Sequence, residues 1–60
     1  MKAGDLVTLS AYGQKLLMFA NLRNKAGLVV RAMNDGSCYV RWQGMDENCY
    51  MERKDIKKAK

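Results

Sequence analysis

The chain has 60 residues, and a domain of this size buries only about 60% of the surface that its unfolded chain exposes. Lysine and arginine outnumber aspartate and glutamate by eleven to six, for a net charge of +5, which favours an acidic partner such as nucleic acid or an acidic protein surface. No apolar stretch approaches the roughly 18 residues of a membrane span. We therefore expect one domain, residues 1–60, in the cytoplasm and without a membrane segment.

The first predicted strand lies within residues 4–9, where Leu6 to Leu9 suit a pleated, half-buried surface. The connection that follows, residues 10–25, is longer than the usual loop of a compact domain. Its apolar side chains recur at spacings of three and four, which favours a short helix with one apolar side. A hairpin-like excursion folded back on the core would bury the same side chains, and both interpretations stay open. These side chains are Tyr12, Leu16, Phe19 and Leu22.

The turn between the second and third predicted strands, residues 26–33 and 38–43, determines which side chains face inward. We predict a three-residue loop, residues 34–36, in which Gly36 supplies the left-handed conformation of a bulged turn. A two-residue turn would mix charged and apolar groups on both faces. On the inner face, the predicted register pairs Leu28 with Trp42, Val30 with Val40 and Ala32 with Cys38. On the outer face, it pairs Val29 with Arg41 and Arg31 with Tyr39.

A four-residue loop, residues 44–47, leads into the fourth predicted strand and supports the same division. It places Tyr50 beside Arg41 and Glu52 beside Tyr39 on the outer face. A tight turn at residues 53–55 then returns one apolar side chain, Ile56, to the core. The predicted inner face comprises Val7, Leu9, Leu28, Val30, Val40, Trp42, Cys49, Met51 and Ile56.

The two cysteines are expected to be reduced thiols. The predicted register offsets Cys38 and Cys49 by four residues, roughly 13 Å at the rise of a strand, which is beyond the reach of a disulfide. Two cysteines in a chain with no histidine make a poor metal site. We therefore expect no metal and no cofactor.

Four short segments resemble the SH3-like barrel, especially its KOW and Tudor-type modules: residues 4–7 (Gly-Asp-Leu-Val), 27–30 (Gly-Leu-Val-Val), 39–42 (Tyr-Val-Arg-Trp) and 53–56 (Arg-Lys-Asp-Ile). The chain is also similar to small barrel proteins encoded by bacteriophages or other mobile elements. The resemblance implies an all-β fold, a small five-stranded SH3-like barrel with a long, partly helical loop between strands one and two. KOW-like modules bind RNA or ribosomal and polymerase surfaces, and a phage origin would imply the host cytoplasm.

Cationic and aromatic side chains alternate on the predicted outer face. Guanidinium groups could contact phosphates, and tyrosine rings could stack on unpaired bases. Lysines near the C-terminus would add phosphate contacts without sequence information. In the alternative interpretation each arginine packs over a tyrosine ring and the face has no ligand. The candidate nucleic-acid-binding residues are Arg31, Tyr39, Arg41, Tyr50, Lys54, Lys57 and Lys58.

The alternative function is a protein-interaction or assembly module. Four apolar residues are predicted at or near the outside, where they could form one contact patch, and a homodimer would stabilise so small a core. These residues are Leu17, Met18, Val29 and Met33. Catalysis is not expected, since there is no histidine, no glycine-rich phosphate loop and no nucleophile beside a base. No small-molecule substrate is evident.

Overall fold

The computed structural model describes residues 1–59 and consists mainly of one five-stranded antiparallel sheet with short helices. The strand order is β4-β3-β2-β1-β5, so β4 and β5 are the edges and the sheet is not closed. The predicted predominance of β-structure with five strands is thus confirmed, whereas the described strands do not close into the predicted barrel. The elements are β1 (Leu6–Leu9), α1 (Ala11–Gln14), a first 3₁₀ helix (Leu17–Leu22), β2 (Gly27–Ala32), β3 (Cys38–Trp42), β4 (Asn48–Met51), a second 3₁₀ helix (Arg53–Asp55) and β5 (Ile56–Lys58).

The hydrophobic core lies on one face of the sheet, and the first 3₁₀ helix contributes Leu22 to it. Phe19, Met45 and Cys49 pack against this core and are partly buried. No helix within residues 1–59 combines the length and apolar character that a membrane crossing needs. The buried apolar side chains are Val7, Leu9, Leu22, Val29, Cys38, Val40, Trp42, Met51 and Ile56.

The hairpin between β2 and β3 begins as predicted. Gly36 has a φ of 94°, and the Met33 N–H donates to the Ser37 carbonyl at 2.8 Å, closing a loop of residues 34–36. Arg31 then lies opposite Tyr39. The predicted three-residue loop is therefore confirmed.

Beyond Arg31 the predicted register is wrong, because β2 contains a bulge. The pairing shifts between Val29 and Arg31, so that Val29 lies opposite Val40 and Leu28 opposite Arg41. A bulge inserts one unpaired residue, here Val30, and every residue beyond it changes face. Val29 is consequently 1% exposed, whereas Leu28 and Val30 are 43% and 38% exposed. Leu28 and Val30 do not belong to the core, and Val29 does.

The hairpin between β3 and β4 differs from the prediction by two residues. Tyr50 lies opposite Tyr39, and Cys49 lies opposite Val40. A shift of two residues preserves the face of every side chain, so Met51 is buried and Tyr50 exposed as predicted. Cys38 lies opposite Met51, so that Cys38 and Cys49 are offset by two residues and not by the predicted four. Both cysteines are free thiols.

Residues 10–25 contain α1 and the first 3₁₀ helix rather than one helix or a hairpin. The Ser10 hydroxyl caps α1 by accepting from the Gly13 N–H at 3.1 Å and donates to the Lys54 carbonyl at 2.5 Å. The Ser10 N–H donates to the Asp55 carbonyl at 2.9 Å. These bonds hold α1 against the second 3₁₀ helix. The first 3₁₀ helix is kinked at Phe19, where φ is −107°.

The second 3₁₀ helix confirms the predicted turn at residues 53–55. Its Asp55 side chain is buried and accepts from the Glu52 N–H at 3.2 Å, and the Glu52 side chain accepts in return from the backbone of Asp55. This reciprocal cap sets the direction of the chain. Ile56 is 4% exposed and enters the core as predicted.

The hairpin loop contains a carboxylate that should respond to acid. The hydroxyl and the N–H of Ser37 donate to Asp35 Oδ1 at 2.6 and 3.0 Å, and the hydroxyl is the main cause that lowers the pKa of Asp35 below its ordinary value of 3.8. Because this pKa is lower in the folded chain, the stability that the pair contributes is present above pH 3.8 and is lost as the pH falls through the folded pKa.

Ser37→Ala should raise the pKa of Asp35 toward 3.8, since the stronger of its two donors is removed. The free energy of unfolding should differ most between the variant and wild type at neutral pH, and the difference should shrink under acid conditions. A titration of the Asp35 carboxyl carbon by NMR checks the shift. An unchanged pKa would mean that the hydroxyl does not stabilise the carboxylate.

Candidate nucleic-acid interface

A row of one arginine and two tyrosines crosses three strands on the outer face of the sheet. Arg31 of β2 lies opposite Tyr39 of β3, which lies opposite Tyr50 of β4. The tyrosine rings meet edge to face, with centroids 5.7 Å apart and planes at 69°, an arrangement that aromatic pairs prefer. We call these three residues the tyrosine row. The structure thus brings together three of the predicted site residues.

The tyrosine row keeps its rings accessible. Tyr50 is 52% exposed and Tyr39 is 37% exposed. Tyr39 and Arg31 line one shallow hollow with Val30 and Asn48. Tyr50 lines a second hollow together with Asp35, Glu52, Arg53 and Lys54. Lys54, one of the predicted site lysines, therefore lines the same hollow as Tyr50.

The neighbouring row on the same face consists of Leu6, Leu28, Arg41 and Asn48, on β1, β2, β3 and β4. We call it the leucine-arginine row. Arg41 Nε donates to Asn48 Oδ1 at 3.0 Å. Because the acceptor is an uncharged carboxamide, this bond orients the guanidinium without neutralising it. Leu6 and Leu28 are 58% and 43% exposed.

The leucines of this row were not predicted as part of the surface. Leu28 reaches the outer face only because of the bulge at Val30, after which it lies beside Leu6. Three consecutive apolar residues, 28–30, are compatible with either face, and nothing in the sequence marks the position of the bulge. Their burial could therefore not be assigned from the alternation of side chains.

The predicted site lysines do not converge on one point. Lys54 Nζ lies 5.1 Å from the centroid of the Tyr12 ring, within cation–π distance. Lys57 lies opposite Thr8, on the outer face of β5. Lys58 Nζ is 3.9 Å from Asp5 Oδ2. The N–H of Lys2 is the largest cause that lowers the pKa of Asp5, and the Lys58 cation lowers it further.

The four residues of the predicted protein interface do not form one patch. Leu17 and Met18 are 86% and 78% exposed on the first 3₁₀ helix. Val29 is buried in the core, which contradicts its predicted exposure, and Met33 is half-buried in the β2–β3 hairpin. Leu17 and Met18 are the part of this prediction that remains on the surface.

The carboxylates and thiols of residues 1–59 form no group of three or more that could hold a metal ion.

No protein-family model matches the chain, and comparisons with curated proteins and with solved structures found no match. The functional proposal therefore depends on the side chains of the outer face and on their charge.

Proposed function

We propose that the chain is a non-enzymatic binding module, an SH3-like barrel whose outer face binds single-stranded nucleic acid. The observation that supports this proposal best is the tyrosine row, in which two partly exposed rings adjoin a guanidinium. Every base has a π-face, so aromatic platforms bind single strands with little dependence on sequence. Bases of a duplex are already stacked on each other, which is why an unpaired strand is the better partner.

The two arginines supply charge to the same face. Arg41 uses Nε to bind Asn48, and a guanidinium has five N–H donors in total, so its terminal nitrogens remain for a phosphate. Arg31 is exposed and forms one end of the tyrosine row, beside Tyr39. The net charge of +5 favours approach of a polyanion at low ionic strength. Binding should therefore weaken as salt increases, because bound counterions are released on contact.

Tyr50 provides the sharpest test of the proposal. Stacking on an aromatic ring contributes about 1–3 kcal/mol per base, so Tyr50→Leu should weaken binding of a single strand about tenfold, while Tyr50→Phe, which keeps the ring, should leave affinity within about twofold. Fluorescence anisotropy with a labelled oligothymidylate of about ten nucleotides measures both, a length within the site sizes of single-strand binders.

Equal affinities for Tyr50→Leu and wild type would contradict the stacking role.

The second candidate function, protein assembly, is favoured by the exposure of Leu17 and Met18 on adjacent positions. A wild-type chain that binds no oligonucleotide at low salt, but sediments as a dimer, would replace the nucleic-acid proposal by this one.

A further inference from the structure

A groove rich in cationic and amide groups lies at the end of the outer face remote from the tyrosine row. Its volume is about 400 Å³. Lys57 of β5 stands opposite Thr8 of β1, and the Gln43 N–H donates to the Ala26 carbonyl at 3.0 Å just before β2. The polar side chains that line the groove are Thr8, Gln14, Asn24, Lys25, Gln43 and Lys57.

The chemistry of this wall suits an anion. The residues that line it include two lysines, three residues with carboxamide side chains and one threonine, and none of them is an aspartate or a glutamate. Within residues 1–59 the ammonium groups of Lys25 and Lys57 have no carboxylate oxygen within ion-pair distance, in contrast to Lys58. The hollow beside Tyr50 is different, because Asp35 and Glu52 line it together with its cations.

The backbone fixes Lys25 at the junction between this groove and the outer face. Asn24 adopts a left-handed conformation with φ of 64°, and the Lys25 N–H donates to the Leu22 carbonyl at 3.2 Å. The Lys25 ammonium lies beside Gly44 in the β3–β4 turn. Its Nζ is 3.8 Å from the position that a Cβ on Gly44 would occupy. Lys25 is half-buried, so its side chain has less freedom than a surface lysine.

The groove is continuous with the outer face. Ala26 and Gln43 line both this groove and the depression that follows Leu6, Leu28 and Arg41 of the leucine-arginine row. The distance from Ala26 to Arg31 along β2 is about 16 Å at the rise of a strand. A single strand that stacks on the tyrosine row could therefore cross the leucine-arginine row and reach Lys25.

We infer that the Lys25–Lys57 groove is an anion site that binds a phosphate group. Binding of a phosphate group does not depend on the proposed function. The inference that this phosphate belongs to the backbone of single-stranded nucleic acid rests on the proposed function. The two ammonium groups act as point charges without sequence information. The groove thus supplies affinity at one end of the face, and the tyrosine row supplies stacking at the other.

The test compares two doubly substituted chains of equal net charge. Lys25→Gln with Lys57→Gln removes both ammonium groups of the groove. Lys2→Gln with Lys15→Gln removes two exposed charges that do not line it, and serves as the matched control. Circular dichroism establishes that both variants are folded.

Inorganic phosphate is the first probe, with amide shifts followed by NMR at constant ionic strength. Wild type and the control should show saturable shifts at Lys25 and Lys57, and the groove variant should show none at these positions. Absence of saturable shifts in wild type would overturn the anion site.

The oligonucleotide is the second probe. Each phosphate contact contributes about 0.7 to the slope of log affinity against log salt for a single strand. Because the groove is proposed to bind one phosphate group, the groove variant should lose about 0.7 from this slope relative to the control. An unchanged slope, with binding retained, would overturn the passage of the strand through the groove and leave the proposed function standing. Phosphate binding without any oligonucleotide binding would support the anion site and remove the proposed function.

Discussion

Gly13→Ala is expected to remove most of the free energy of unfolding of the protein at room temperature. Gly13 is buried in α1, and a Cβ at this position would overlap the backbone carbonyl oxygen of Asp55. That oxygen also accepts from the Ser10 N–H at 2.9 Å, so it cannot withdraw without loss of the contact that docks α1. We expect a cost of about 3 kcal/mol, at the upper end for overpacking, in a domain whose core supplies only about 3–5 kcal/mol.

Urea denaturation followed by circular dichroism measures this effect. The control is Gln14→Ala, the neighbouring exposed position, which removes a long 3.4 Å bond to the Leu9 carbonyl and should change the free energy of unfolding by less than about 0.5 kcal/mol. A Gly13→Ala chain as stable as wild type would show that α1 does not pack on the second 3₁₀ helix as described.

Val29→Ala should destabilise the protein by about 2 kcal/mol, since it deletes two buried methyl groups and leaves a cavity. Val30→Ala deletes the same atoms from a side chain that is 38% exposed and should cost less than about 0.5 kcal/mol. The pair is chemically matched and differs only in the face on which the bulge places each residue. Thermal unfolding measured for both variants gives the comparison.

The opposite order of costs would support an uninterrupted β2. In that register Val30 lies in the core and Val29 on the surface, as the alternation of side chains predicts. The bulge would then be absent, Leu28 would return to the inner face, and the leucine-arginine row would not exist.

Turn chemistry explains the parts of the fold that the sequence predicted correctly. Gly36 is the residue that tolerates the φ of 94° closing the β2–β3 loop, and this loop sets which face of β3 is buried. Trp42 and Val40 are therefore in the core. The same reasoning correctly placed Tyr39, Arg41 and Tyr50 on the outer face, because these residues lie on β3 and β4, beyond the reach of the bulge.

Long-range packing explains the parts that could not be predicted. The bulge at Val30 allows Val29 to pack in the core, yet Val29 and Val30 are identical side chains and local propensity cannot choose between them. Tyr50 pairs with Tyr39 and not with Arg41 as predicted. This difference is a shift of two residues, which alternation cannot detect because the shift leaves every side chain on the same face. The position of α1 depends on contacts of Ser10 with Lys54 and Asp55, which are remote in sequence.

The candidate surface was likewise only partly visible in the sequence. Alternation predicts that Arg31, Tyr39 and Tyr50 share the outer face, but not that Tyr50 lies opposite Tyr39. The Lys25–Lys57 groove needs the pairing of β1 with β5, which brings Lys57 opposite Thr8. Lys25 precedes β2 in a connection whose conformation could not be derived. A single lysine in a loop carries no signal of a site until its neighbours in space are known.

The central claim is that unpaired nucleic acid binds the outer face of the sheet. A titration of the labelled chain with a short oligothymidylate, followed by amide and aromatic NMR shifts, tests it most directly. We predict saturable shifts that centre on Arg31, Tyr39, Arg41 and Tyr50 and extend toward Lys25. Shifts confined to the first 3₁₀ helix around Leu17 and Met18, or no saturable shifts at low salt, would contradict the claim.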